Sequence, residues 1–375
     1  MANEKKTVRE PSFILALVPI VAMIAFMLYC FRGHSETGYH DAHLPLVMSI
    51  IVACIVGFIC GHSFQEMLAG MVERLAASME AVLILATVGF LVTSFMLSGA
   101  IPTMIVYGLD LLTPKLFLPV GCILCAIVGM ACGSSWTTTA TIGLAFLGIG
   151  AGLGIPAPIT AGMIISGAYV GDKFSPLSDT TNLAAAVAET GLFDHVTAMV
   201  STTGPTLLLS LILYTILGLN VDTSAYDATV AEGIQEAFRG AFTISPILLL
   251  PIIVVIVMCI LRVPGLVGIA VSVATAVLFM LIFQSTDIFY SYSLGDIFDV
   301  LHYGHAVETG NAVADSILGK AKGMDGMMWT INLILVALAY GGALERCGCI
   351  EKLFGGLKHK IHSVGSLILA TLLTS

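Results

Sequence analysis

Long apolar runs constrain most strongly what this chain can fold into. A helix needs about 20 apolar residues to cross a hydrocarbon core roughly 30 Å thick, and runs of about that length recur along the 375 residues. Hydrophobic residues make up 58% of the chain and charged residues only 10%, which is unlike a soluble globular domain. The runs do not alternate polar and apolar residues as barrel strands do. The sequence therefore predicts an all-α polytopic membrane protein.

The apolar runs give a predicted order of membrane segments. The first, Phe13–Phe31, follows basic residues but is longer than the apolar region of a signal peptide, which has about 7–15 residues, so we expect a retained span. A last run begins near Val364 and is still apolar at Ser375, and we therefore expect a single transmembrane domain, 1–375, that is incomplete at its C-terminus. The runs between these two are 44–60, 81–97, 116–132, 137–155, 159–170, 199–219, 244–261, 263–283 and 327–344.

The charges between the runs predict the orientation. Lys and Arg collect in the N-terminal segment and in 345–362, whereas acidic residues dominate 220–243 and 284–326. Because cytoplasmic loops are enriched in Lys and Arg, we expect the N-terminus and 345–362 in the cytoplasm and the two acidic segments outside a bacterial inner membrane. The net charge of −9 argues against nucleic acid as a partner.

Two stretches have helical periodicity without being fully apolar. Residues 64–78 carry apolar residues at helical spacing with charged residues opposite, which is typical of an amphipathic helix on a membrane surface. Residues 289–318 are expected to hold another.

Polar residues interrupt the apolar sequence between 131 and 189. Hydroxyl residues cluster directly after Gly133, and a glycine-rich turn then leads into Pro156 and Pro158. The two arms of this region, 137–149 and 159–170, are each shorter than a span. Non-helical backbone is tolerated at membrane depth only where protein buries it or where it lines a cavity, so the pattern favours a re-entrant hairpin or broken helices.

A second polar cluster follows from Asp172 onward. Ser175 before Pro176 has the pattern of an N-cap and a first helical residue, which predicts a short helix of about fifteen residues, roughly 22 Å long. This helix is too short to cross a membrane. On it Ser175, Ser178, Asp179 and Asn182 would share one face.

These oxygen-bearing side chains are the candidate ligands. Carboxylate, hydroxyl and amide oxygens suit a small hard cation, and ionisable residues at membrane depth are a functional hypothesis by default. The alternatives are that the hydroxyls only bond helix carbonyls and that Asp172 pairs with Lys173 at an interface. Sodium is assigned to Asp179 and Asn182. The predicted ion- or substrate-binding residues are Ser134, Ser135, Thr137, Thr138, Thr139, Asp172, Ser175, Ser178, Asp179, Thr180, Thr181 and Asn182.

The stretch GSSWTTTATIGLAFLGIGAGLGIPAPITAGMIISGAYVGDKFSPLSDTTNLAAAVAETGLFDHVTAM, residues 133–199, closely resembles the signature region of the NhaC-type sodium/proton antiporter family, which includes malate/lactate sodium antiporters. The resemblance implies an ion-transporter fold of two inverted repeats, the first over about 44–219 and the second over about 244–375. It places 133–139 and 178–182 at the ion site, facing a second-repeat motif expected beyond residue 375. Thr137 departs from the pattern, since many relatives have glycine there.

The resemblance and the residues together leave two transport mechanisms open. In the first, sodium and protons compete for one desolvated carboxylate, which can hold either near neutral pH. In the second, a small organic acid such as malate or lactate is exchanged with sodium and proton coupling, its carboxylate held by helix N–H groups near Ser134 and Ser175.

The expected partners are the lipid bilayer, Na⁺ and H⁺, with a small carboxylate and a second copy of the chain as further candidates. No cofactor beyond the transported ions is expected, and no nucleophile–base constellation or phosphate loop indicates an enzyme. We also expect residues 1–375 alone not to transport, because the last predicted span is incomplete.

Overall fold

The computed structural model describes residues 8–32, 41–175, 178, 180–181, 184–185, 188–220, 228–261, 263–284 and 294–358. Regular structure within these residues is entirely helical, which confirms the predicted fold class. The helices are α1 (Phe13–Phe31), α2 (His43–Ile59), α3 (Phe64–Ala77), α4 (Met79–Leu97), α5 (Ala100–Leu111), α6 (Pro114–Cys132), α7 (Ser135–Thr138), α8 (Leu144–Gly152), α9 (Ala157–Phe174), α10 (Leu192–Leu219), α11 (Ala228–Ala241), α12 (Leu250–Ile260), α13 (Gly265–Phe283), α14 (Leu294–Tyr303), α15 (Ala312–Leu318), α16 (Asp325–Arg346) and α17 (Cys349–Lys358).

Five of the described helices, α1, α6, α10, α13 and α16, are long and apolar enough to cross a membrane. α2 is apolar but slightly shorter, with 17 residues. α11 forms a broken pair with the segment that follows it, a 3₁₀ turn, Pro246–Leu249, that continues into α12, and the two halves are bent by 91°. The predicted run of 244–261 is thus the second half of this pair, and the run near Val364 lies outside the described residues.

The chain divides into two compact units. The first consists of the described residues of Met1–Leu83 and Met328–Ser375, and the second of those of Ile84–Met327. Each unit has its own apolar core. Both divisions fall near the starts of helices, α4 and α16.

In the first unit, α1, α2 and α16 run between the same two ends. At one end the Arg9 N–H donates to the Cys60 carbonyl (2.8 Å), and Lys352 on α17 lies 3.4 Å from Glu10. At the other end the Trp329 indole N–H donates to Asp41 (3.1 Å). The N-terminal segment, the end of α2 and α17 therefore share one face of this unit.

α3 begins with a capping box. The Ser63 hydroxyl accepts the Glu66 backbone N–H (3.2 Å), while the Glu66 carboxylate accepts the Ser63 N–H (2.8 Å). This reciprocal pair satisfies backbone donors that a helix start leaves unpaired. Met67 is buried while Phe64 is exposed. The predicted helix at 64–78 is confirmed, and within 289–318 the structure has two short helices, α14 and α15.

α5 was missing from the predicted segments. Its twelve residues are too few to cross a membrane, and Gly99, Pro102 and Thr103 interrupt the apolar run there. Ile101 and Ile105 are nonetheless fully buried in the core of the second unit. α5 packs against α8, α11 and the 3₁₀ turn, so it belongs to the protein core rather than to the lipid-facing surface.

Candidate functional site

The helix break after α6 starts the candidate site. Gly133 follows α6 in the left-handed conformation (φ 64°), and its N–H closes the last turn by donating to the Gly129 carbonyl (2.8 Å). Ser134 is extended (φ −150°, ψ 115°) and caps α7, after which the helix continues as a π-helical turn, Thr139–Gly143, into α8. Such π turns are rare and occur frequently at functional sites. The predicted interruption at this point is present.

The hydroxyls of this region bond mainly to backbone carbonyls. Thr138 donates to the Ser134 carbonyl (2.9 Å), Thr139 to the Ser135 carbonyl (2.8 Å) and Thr141 to the Thr137 carbonyl (2.7 Å). The alternative role foreseen for these threonines, bonding to helix carbonyls, is therefore observed. A hydroxyl that donates its proton in this way still has lone pairs to offer to a cation.

Ser134 is used differently. Its hydroxyl oxygen accepts the Thr137 N–H (3.3 Å) and also the Thr137 hydroxyl (3.2 Å). Two accepted bonds occupy both lone pairs of a hydroxyl oxygen. Ser134 therefore organises the start of α7.

α9 forms the opposite side of the hairpin. It packs along α6 with almost no space between the backbones, since a Cβ on Gly171 would lie 2.7 Å from the Met130 nitrogen. Gly143 faces Ile164. α7, which contains Ser135, also packs against α9. Because the chain from α7 to α8 runs along α9 in the opposite direction, α7 lies toward the end of α9 that carries Asp172. The two predicted polar clusters thus flank the same end of α9.

Asp172 is buried, with 6% of its surface exposed, in the last turn of α9. The sequence placed it in a helix-breaking segment, but α9 continues through Phe174, since the close packing on α6 supports the helix to that point. Ser175 ends α9 as its C-cap, and its N–H donates to the Asp172 carbonyl (3.1 Å). The prediction that Ser175 is an N-cap is therefore wrong.

The chain then folds back onto the end of α9. The Thr181 hydroxyl lies 3.3 Å from the Asp172 carbonyl oxygen and 3.4 Å from that of Lys173, so it caps carbonyls that the helix end leaves open. Ser178 accepts the Thr181 N–H (3.4 Å), which is an N-cap contact. Its hydroxyl also lies 3.0 Å from that of Thr180.

The structure thus brings Asp172, Ser175, Ser178 and Thr181 together, all of them buried. Thr180 is exposed. Ser175 and Ser178 precede the helical residues 180, 181, 184 and 185, so they do not belong to the predicted helical face. Asp179 and Asn182, the predicted sodium ligands, lie outside the described residues.

Sequence reasoning missed a further set of buried hydroxyls on α4 and α5. The Thr93 hydroxyl accepts the Gly323 N–H (2.9 Å), and the side-chain amide of Gln284 donates to the Ser98 carbonyl (2.8 Å). Thr103 is buried with no hydrogen-bond partner for its hydroxyl among the described residues. The available signal was the appearance of hydroxyls inside apolar runs. In the described part of the chain, no three His, Cys, Asp or Glu side chains are grouped as a metal site would require.

Comparison with known proteins places these features in a family. Residues 167–375 match the Na⁺/H⁺ antiporter family. The Na(+)/H(+) antiporter NhaC of Alkalihalophilus pseudofirmus is 34% identical over 335 residues, covering 89% of this chain and 71% of that protein. The Arginine/ornithine antiporter ArcD of Halobacterium salinarum is 35% identical over 368 residues, covering 97% and 74%.

A third relative, the Malate-2H(+)/Na(+)-lactate antiporter of Bacillus subtilis, is 31% identical over 372 residues, covering 99% of this chain and 77% of that protein. No solved structure matches the chain. The family match spans more than half of the chain, and all three relatives cover at least 89% of it. The resemblance read from the sequence is confirmed: this chain belongs to the Na⁺/H⁺ antiporter family.

Proposed function

We propose that this protein exchanges Na⁺ for H⁺ at the broken-helix region between Gly133 and Asn182. The observation that carries the proposal is a buried carboxylate, Asp172, at the same end of α9 as two groups of buried hydroxyls. The relative named Na(+)/H(+) antiporter NhaC supports the activity. Oxygen ligands without nitrogen or sulfur suit a small hard cation and disfavour transition metals.

Coupling follows from mutually exclusive occupancy. A carboxylate withdrawn from water is costly to keep charged and empty, so it takes up either a proton or a cation. Sodium entering from one side displaces the proton, and the reverse exchange completes the cycle. One titrating carboxylate is enough for this mechanism.

Two carboxylates are candidates for that role. Asp179 is assigned from the sequence, because no neighbouring cation neutralises it, whereas Asp172 has Lys173 beside it. The structure adds that Asp172 is buried at the end of α9. We assign the coupling role to Asp179 and a supporting role at the same site to Asp172.

Conservative substitution separates the two carboxylates. Asp179→Asn keeps an oxygen ligand but removes the charge and the titration, so sodium-driven proton movement in everted membrane vesicles is expected to vanish while expression is normal. Asp172→Asn is expected to retain exchange with a raised half-saturating sodium concentration. Asp194→Asn, at an exposed position in the first turn of α10, is the matched control and should transport like the unmodified protein. If Asp179→Asn exchanges ions like the unmodified protein and Asp172→Asn is inactive, the coupling role belongs to Asp172.

Exchange of small organic acids is the alternative, favoured by the relative named Malate-2H(+)/Na(+)-lactate antiporter. Another relative is named for arginine and ornithine, so substrates differ among these proteins. Proton flux in proteoliposomes that contain no organic acid or amino acid distinguishes Na⁺/H⁺ exchange from exchange of organic acids. Under the main proposal sodium still drives proton flux there, and a flux that requires added malate or lactate supports the alternative.

We place the protein in a bacterial inner membrane with its N-terminus in the cytoplasm. Two observations support this orientation. The Arg9 segment and α17 share one face of the first unit, and both carry basic residues, as cytoplasmic segments do.

A further inference from the structure

Two cysteines are held together at the junction of α16 and α17. Cys347 and Cys349 are both fully buried, and their sulfur atoms lie 3.1 Å apart. Gly348 between them has a φ of 73°, a conformation that other residues adopt only at a cost. This turn brings the two thiols into contact although only one residue separates them.

The surroundings make one of these thiols the stronger acid. The contact between the two sulfurs is the largest of the interactions that lower the pKa of Cys347 to about 7, and the backbone N–H of Cys349 at the start of the ten-residue α17 adds to this. The same contact raises the pKa of Cys349, because its proton is held between the two sulfurs. A thiolate stabilised by a neighbouring donor and a helix N-terminus is the reactive form of cysteine.

A cavity borders Cys347 on the face that carries the N-terminal segment. Its volume is about 660 Å³, and Cys347 and Gly348 form part of its wall. Three basic and three acidic side chains also line it, namely Arg9, Arg346, Lys352, Glu10, Glu345 and Glu351. The volume is within the range of small-molecule sites, so a small reactant fits in the cavity next to Cys347.

We propose that Cys347 and Cys349 are a redox-modifiable dithiol that reacts with small-molecule disulfides by thiol–disulfide exchange. The Cys347 thiolate attacks one sulfur of the reactant, forming a mixed disulfide and releasing the other half as a thiolate. The Cys349 sulfur then attacks Cys347 Sγ, closes the Cys347–Cys349 disulfide and releases the second half. The protons of both cysteines pass through water to the two released thiolates, so one disulfide is reduced as one is formed.

Trypsin isolates the pair for measurement, because cleavage after Arg346 and Lys352 releases residues 347–352 as one hexapeptide. The full chain in native membranes is reduced, exposed to glutathione disulfide at pH 7, then unfolded in sodium dodecyl sulfate, blocked with N-ethylmaleimide and digested. The expected hexapeptide carries no alkyl group and has lost two hydrogens. Cys122 and Cys125, which are also free and buried but lie within α6, are the internal control and should be recovered alkylated.

Single variants assign the two roles. Cys349→Ser retains an O–H donor beside Cys347, and its peptide should collect as the mixed disulfide with a rate that reaches half its maximum near pH 7. Cys347→Ser should react on the order of tenfold more slowly, since the Cys349 backbone N–H bonds to the sulfur of Cys347 and gives no such contact to that of Cys349. Gly348→Ala should slow ring closure by disfavouring the turn.

Four results would overturn the proposal. The first three are a hexapeptide that stays doubly alkylated, equal rates in the two single variants, and a wild-type mixed disulfide that never closes. A cross-link from Cys347 to Cys60, which lies in the same apolar core, would also contradict it. Melting temperatures of the variants in detergent, compared with that of the unmodified protein, report that they are folded.

Discussion

At the scale of single residues, the two ways in which hydroxyls are used near the α6–α7 break divide the predicted ligands. Ser134 accepts two hydrogen bonds from Thr137, whereas Thr138 donates to a backbone carbonyl and keeps its lone pairs. Both residue types were assigned the same role from the sequence, because composition and spacing carry no information on which lone pairs are used. We therefore propose Thr138, and not Ser134, as a sodium ligand.

A pair of substitutions tests that proposal. Ser134→Ala is expected to lower the free energy of unfolding by about 1–3 kcal/mol, because it leaves two donors of Thr137 unpaired, with the half-saturating sodium concentration changed less than twofold. Thr138→Val should raise that concentration by on the order of tenfold, because it removes an oxygen ligand while keeping the shape. The measurements are thermal unfolding in detergent and sodium titration of proton flux. A Ser134→Ala variant with the larger loss of sodium affinity would contradict the proposal.

Asp41 gives a prediction about pH at the residue scale. The His43 ring bonded to its carboxylate is the largest of the interactions that lower the pKa of Asp41 below its ordinary value of 3.8, and the Trp329 indole adds to this. A carboxyl group whose pKa is lowered by folding stabilises the protein above its unfolded pKa, and this contribution is lost as the pH falls through the folded pKa. The contribution of Asp41 should therefore be complete at neutral pH and be lost progressively as the pH falls below about 4.

The comparison of melting temperatures between the unmodified protein and Asp41→Asn measures this contribution. The difference should be present at pH 6–7 and vanish in the acid range. Asp315→Asn, which changes another hydrogen-bonded carboxylate, in this case bound by Thr309, serves as a comparison in the second unit. A difference for Asp41→Asn that grows as the pH falls would contradict the assigned sign.

At the scale of elements, the sequence is informative where the helix is uniformly apolar and much less so elsewhere. The bounds of α1 agree with the predicted run of Phe13–Phe31, because lipid-facing length alone determines such a helix. α5 was missed because its burial comes from packing against other helices, which no local pattern reports. The C-cap role of Ser175 was missed for the same reason, since α9 is extended by its contact with α6.

α11 shows what the predicted outer segment 220–243 contains. Ile234 and Phe238 on this helix are fully buried, and Gln235 donates to the Val106 carbonyl (3.1 Å) and to Asp110 (2.8 Å). Arg239 lies 3.7 Å from Asp110, but both side chains are about half exposed. The apolar contacts of α11 with α5 therefore stabilise it more than the ion pair does.

Two alanine substitutions on α11 measure this difference. Phe238→Ala should lower the free energy of unfolding by about 3–5 kcal/mol through the cavity that it leaves. Arg239→Ala should cost less than about 1 kcal/mol, because water screens an exposed pair. Chemical unfolding in detergent micelles is the measurement. Equal losses in the two variants would show that the charge contact, rather than the apolar face, attaches α11.

At the scale of the whole molecule, the predicted orientation can be tested by labelling introduced cysteines from one side of the membrane. In a background without native cysteines, a cysteine at Lys352 should react with an impermeant maleimide only in everted vesicles. A cysteine at Glu232, an exposed position on α11, should react only in intact cells. Labelling of the Lys352 position from outside the cell would disprove the orientation derived from the basic segments.

The order of residues in the two units has a consequence for how the protein is made. The second unit is continuous, whereas the first joins the described residues of Met1–Leu83 to those of Met328–Ser375. A ribosome adding about 5–20 residues per second needs on the order of ten to fifty seconds to synthesise residues 84–327. During that interval α1, α2 and α3 are already in place but lack α16, whose Tyr340 later donates to the Pro19 carbonyl (3.0 Å). The first helices to emerge are therefore the last to complete their packing, and they depend longest on membrane chaperones for protection from proteolysis.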